Sequence, residues 1–136
     1  MNVRSTKYDR DAFFDELQNL FPEAADEIDR EVDEGLIHLE MSAFSRYTMR
    51  IVERGDRPEA IRCFQFAERL ILQGDADVWN AVHVSYLEHL LPEDDQEWMF
   101  EAMTSAVRQA WFEIHEYVDR ITGRSVTERW SRMRAK

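Results

Sequence analysis

"WNAVHVSYLEHLLP", residues 79–92, decides how the rest of the chain is read. On a helical wheel, the apolar positions Val78, Trp79, Val82, Val84, Tyr86, Leu87, Leu90 and Leu91 cover most of the circumference. A helix that is apolar nearly all round packs at the centre of other helices. The same stretch carries His83, Glu88 and His89, so it is also the first place to look for chemistry. His83 and His89 are six residues apart, which puts them about 120° apart around a helix and about 9 Å apart along it. They cannot share a metal as an i, i+4 pair does. His83, inside the apolar arc, reads as a hydrogen-bonded core histidine.

Working outward, the four glycines (Gly35, Gly55, Gly74, Gly123) and three prolines (Pro22, Pro58, Pro92) fall where apolar periodicity breaks. Glycine favours the position past a helix end and proline the first turn. These breaks predict helices over 9–20, 22–34, 36–54, 57–73 and 76–91, a long helical stretch over 93–121, and a short helix after Ser125. Asp56 with Glu59, and Ser125 with Glu128, have capping-box spacing, and Asp75 is placed to cap the fifth helix. Met99, Met103, Val107, Trp111, Ile114, Tyr117 and Ile121 keep one phase, with Thr104–Ser105 as the point where that stretch would divide. No segment alternates with period two over strand length. The expectation is an all-α fold of six to seven helices, in an antiparallel bundle or a short HEAT-like array. Residues 1–122 form one domain in this reading, followed by a basic tail over 123–136.

Charge is unevenly laid out. The net charge is −11. Residues 9–34 hold eleven acids against Arg10 and Arg30, and residues 75–101 hold eight acids without a lysine or arginine. Such a surface is repelled by phosphate backbones and attracts basic partners, so no nucleic-acid ligand is expected. Residues 1–10, MNVRSTKYDR, lack an apolar leader, no stretch reaches membrane-spanning length, and Cys63 is the single cysteine. A cytoplasmic protein without cofactor or membrane attachment is expected. HExxH, CxxC, a Ca²⁺ loop and a P-loop are all missing from the sequence, so no metal site is expected.

Three sets of residues stand out. Glu40 falls in the middle of the apolar face of the third helix, among Leu36, Ile37, Phe44, Tyr47 and Ile51. A buried carboxylate needs a partner, and His83, Asn80 or an arginine is expected to supply it. Glu40 beside His83 or His89 would also be the raw material of an acid–base pair. The EDDQEW stretch sets Glu93, Asp94, Asp95 and Glu97 as an acidic rim beside Trp98, suited to a basic protein. Phe112 projects from the polar face of its helix and reads as an interface anchor. The acids of the second helix, Asp26, Glu27, Asp29, Glu31 and Asp33, form a competing surface.

"GLIHLEMSAFSRYT" (35–48) together with "NAVHVSYLEHL" (80–90) resembles a family of small bacterial helical proteins of unknown function. Some of its members resemble immunity proteins of polymorphic toxin systems. The resemblance covers about residues 15–120 and implies an α-helical fold with no assigned catalytic residues; the basic tail lies outside it. The functional expectation is a binding protein, an immunity protein that blocks a basic, nuclease-like toxin by direct contact. The alternatives are a helical interaction scaffold, and an enzyme using Glu40 with His83 or His89.

Overall fold

A computed structural model describes residues 8–28 and 36–134. The second helix, expected over 22–34, stops at Ala25 and gives way to turns over 26–28; residues 29–34, the expected end at Gly35, and the acids Asp29, Glu31 and Asp33 lie outside the described residues, as do residues 1–7.

The fold is all-α. Its helices are α1 (Arg10–Leu20), α2 (Pro22–Ala25), α3 (Ile37–Glu53), α4 (Arg57–Gln73), α5 (Ala76–Ala81), α6 (Trp98–Ala102), α7 (Ser105–Thr122) and α8 (Val126–Arg129). Short polar caps start them, as the sequence implies: Asp9 accepts from the Ala12 amide at 3.0 Å, Asp75 from Val78 at 2.9 Å and Thr104 from Val107 at 3.2 Å. The Thr104 cap divides the expected 93–121 helix into α6 and α7. Gly74 ends α4 where a side chain has no room, because a β-carbon there would lie 2.6 Å from Val78 Cγ1. Gly123 closes α7 in the left-handed conformation, at φ 78°.

The fifth helix is not the uniform rod that its composition suggests. After Ala81 it widens into a π-turn over Val82–Tyr86, then tightens into a 3-10 turn over Leu87–His89. The π-turn inserts a residue relative to α-helical phase. Val82, Ser85, Tyr86, Leu87 and Leu90 are all buried, while Trp79, Asn80, Val84, His89 and Leu91 are exposed. The segment is therefore central on one side only.

Two aromatic clusters fill the core. Phe21, Phe44, Phe66 and Tyr86 join α2, α3, α4 and the π-turn, with Phe44 and Tyr86 stacked at 4.5 Å. Phe100, Trp111, Phe112 and Trp130 join α6, α7 and the segment after α8. The second cluster corrects two expectations. The residues after Gly123 are not a tail outside the domain: Trp130 is 2% exposed with its ring 5.3 Å from Phe100 of α6, and Met133 is buried in the same core. Phe112, read as an exposed anchor, is 1% exposed because this segment covers the face of α7 that the helical wheel left polar.

α8 is held by a different cap from the one its sequence suggests. Ser125 makes no side-chain cap bond. The carboxylate of Asp119 instead accepts from the amides of Val126 and Thr127 at 3.3 and 2.9 Å and from the Thr127 hydroxyl at 2.7 Å. Arg124 Nε also donates to it at 2.7 Å.

Candidate functional site

Glu40 is buried on α3 and paired with Arg10 of α1. Arg10 Nε donates to Glu40 Oε1 at 2.9 Å, and a second guanidinium nitrogen pairs with Oε2. Arg10 also lies 4.6 Å over the Phe14 ring. The Glu40 hydrogen bond outweighs partial burial and raises the Arg10 guanidinium above its ordinary value. The arginine among the expected partners is thus found. Asn80, expected to be buried beside Glu40, is exposed, because the phase of α5 turns Val78 and Ala81 inward and Asn80 out.

The two histidines of the opening stretch are separated. His83 is buried, its Nδ1 is 2.8 Å from the Trp79 carbonyl, and its ring lies 4.0 Å from the Trp79 ring. A carbonyl only accepts, so Nδ1 carries a proton, and in the neutral ring Nε2 is an acceptor. His89 is exposed and lines a separate hollow with Leu39, Ser42 and Met49 of α3. Cys63 offers no nucleophile, since burial pushes its thiol up to about 12.

Sequence reasoning passed over a third histidine. His115 of α7 is buried, with Nε2 donating to the Leu87 carbonyl at 2.9 Å. One turn earlier on α7, Trp111 Nε1 donates to the Leu90 carbonyl at 2.8 Å. Leu87 and Leu90 stand where the fifth helix unwinds; the Leu87 carbonyl also accepts from the Leu90 amide at 3.1 Å, and α7 adds a side-chain donor to each carbonyl. On its other side, His115 Nδ1 accepts from Arg124 at 2.7 Å. Burial lowers His115 to about 4, the Leu87 bond opposing and Arg124 reinforcing the shift.

The acidic rim is largely answered from within the chain. Arg129 pairs with Asp94 at 2.5 Å and Arg132 with Glu97 at 2.7 Å. Glu93 forms a capping box with Gln96 at the 3-10 turn Asp94–Gln96. Trp98 is half-buried, with the Arg57 guanidinium 5.1 Å over its ring. The rim acids do lie together, but Arg129 and Arg132, from the segment read as a separate basic tail, hold two of them.

An open groove lies elsewhere, between α5 with its π-turn and α7. Trp79, Asn80, His83 and Val84 form one wall, and Glu113, Ile114 and Tyr117 form the other, around about 390 Å³. Trp79 is 49% and Tyr117 51% exposed. The Trp79 ring packs against His83 at a tilt of 33°. Sequence reading assigned Trp79 and Tyr117 to the core because both fall in apolar arcs. The signal against that was the width of those arcs, which is more than neighbouring helices can cover.

Among the described residues, no cluster of three or more histidine, cysteine, aspartate or glutamate side chains is arranged to hold a metal. No helix of the described residues is long and apolar enough to cross a membrane. No curated protein and no solved structure matches the chain. A family model matches residues 14–117, which takes in both walls of the groove and leaves the covering segment after Gly123 outside. The chain therefore belongs to the family described as a domain of unknown function, DUF7674.

Proposed function

We propose that this protein is a binding protein that engages a basic protein partner by direct contact, and that the partner is a toxin domain which it neutralises in the cytoplasm of a bacterial host. One observation carries the reading. Among the described residues, Arg10, Arg46, Arg50, Arg62, Arg69, Arg124, Arg129, Arg132 and Arg134 each pair with a carboxylate of the same chain. Asp77, Asp95, Glu101 and Glu128 make no ion pair with a described residue. Arg54, Arg57, Arg108 and Arg120 make no such pair either, but the net charge is −11 and carboxylates predominate in what is left for a partner. Such a surface speeds association with a basic protein and makes it salt-sensitive.

The test is co-expression with the product of a neighbouring toxin gene. The expected result is restored growth and a stoichiometric complex whose association slows steeply as salt rises. A complex that forms at the same rate at low and high salt would instead favour a scaffold bound through apolar contacts. The exposure of Trp79, Val84, Tyr117 and Ile121 is what favours that second reading. Growth restored by catalytic amounts of the protein would overturn both.

A further inference from the structure

The groove between Trp79 and Tyr117 combines features that select one kind of occupant. Its polar groups include the exposed Glu113 carboxylate and His83, whose Nε2 is an acceptor in the neutral ring that donates through Nδ1 to the Trp79 carbonyl. Its aromatic members, Trp79 and Tyr117, are about half exposed, and the electron-rich faces of such rings attract cations. The Tyr117 ring already attracts one, for Arg120 of the same helix lies 5.9 Å over it. A flat guanidinium stacks on such rings and donates in a fork to a carboxylate, and it sheds water more readily than an ammonium. Glu113 is exposed and makes only a 3.4 Å contact with Gln109, so its carboxylate can take a guanidinium that an apolar occupant could not offer.

We propose that this groove is a socket for an arginine side chain of a protein partner, the guanidinium stacked on the exposed aromatic faces and its N–H groups donating to Glu113. The proposal rests on the basic-partner reading above and narrows it to one face. The EDDQEW rim is the weaker face for this purpose, because Arg129 and Arg132 already occupy Asp94 and Glu97. The socket's own walls come from elements tied together underneath, by Trp111 and His115 reaching the Leu90 and Leu87 carbonyls. It is therefore formed before the partner arrives.

The test is an NMR titration of the ¹⁵N-labelled full chain at low salt with acetyl-Gly-Arg-Gly-amide, beside lysine, citrulline and leucine versions of the probe. The expected shifts centre on the Trp79 indole N–H and the amides of His83 and Tyr117, with arginine binding more tightly than lysine and citrulline barely binding. Tyr117→Ala should weaken the arginine probe about two- to five-fold. Glu113→Gln, at an exposed site where folding is not at risk, should weaken it about three-fold or more. Equal binding of the citrulline or leucine probe would show an apolar site and overturn the socket. Concentration-dependent broadening of Trp79 without any probe would assign the groove to a second copy of the chain, with the same effect. If the arginine probe shifts acidic residues all over the surface but not Trp79, the socket fails while the basic-partner reading stands. If no cationic probe shifts any residue, both fail.

Discussion

Two acidic regions of this molecule treat their charge in opposite ways. At one end of α7, the segment after Gly123 folds back so that Arg129, Arg132 and Arg134 meet Asp94, Glu97 and Glu116, with Trp130 and Met133 sealed beneath. At the groove between α5 and α7, Glu113 pairs with no described arginine, and Trp79 and Tyr117 stay half in solvent. The first region uses charge to close a surface and the second leaves a surface open. Acidic composition alone therefore says little about where a partner docks; what matters is which carboxylates the chain has already answered.

The largest test of this contrast is Trp130→Ala. Truncating a buried tryptophan costs about 3–5 kcal/mol. The denaturation midpoint should fall accordingly, and the groove should keep its probe affinity wherever the variant is folded. An unchanged midpoint would mean that the closing segment is only draped on the surface.

Glu40→Ala asks the same of the other internally paired charge. Breaking a buried pair costs about 3–5 kcal/mol, and the partial exposure of Arg10 places this one near the lower end. A cost well under 1 kcal/mol in urea denaturation would show that Glu40 is not held as described.

Acid should loosen the closed region. His115 is lowered from 6.5 to about 4 by burial, so between those values the unfolded chain binds a proton that the native chain refuses. Stability should then fall by about 3 kcal/mol as pH drops from about 6.5 to about 4. Asp119 works in the same direction. Burial pushes its carboxyl up, but hydrogen bonds from Thr127, Arg124 and Val126 together hold it below its ordinary value. It contributes stability above its unfolded pKa and loses it as pH falls further. His115→Gln should flatten the upper part of that profile, and a slope unchanged by this substitution would place the acid sensitivity elsewhere.

The smallest expected effects compare one charge reversal at two places. Asp94→Lys sets a lysine against Arg129 and should cost less than about 1 kcal/mol, as exposed pairs do. Arg129→Glu should recover part of that loss while partner association changes little. Glu113→Lys should leave the denaturation midpoint where it is and slow association with a basic partner. If Asp94→Lys is the variant that slows association, the EDDQEW rim is the docking face and the contrast between the regions is reversed.

Much of the fold was legible along the chain. Gly74, Pro22, Pro58, Asp75 and Thr104 sit at real helix ends because capping and turn chemistry act over a few residues. Glu40 was readable as a buried, partnered carboxylate because helical phase alone placed it among Phe44, Tyr47 and Ile51. The candidate site was hardly legible. Trp79, Asn80 and Phe112 were all assigned to the wrong side, and each error has a cause distant in sequence or a change of local pitch. A regular wheel cannot foresee a π-turn, and the side chains that donate to the Leu87 and Leu90 carbonyls just after it come from α7, some 20–30 residues away. The covering of Phe112 likewise needs Phe100 of α6 and Arg134, the latter brought in after the turn at Gly123.

The sequence by itself determined the helical class, the helix ends, the excess of carboxylate and the burial of Glu40, because these depend on spacing within a turn or two and on composition. Tertiary structure decided which carboxylates are neutralised, that the basic segment closes the domain, and that Trp79 and Tyr117 face one another across an open groove. Those outcomes depend on which helix faces meet, and a face of mixed character is assigned only when its neighbour is in place.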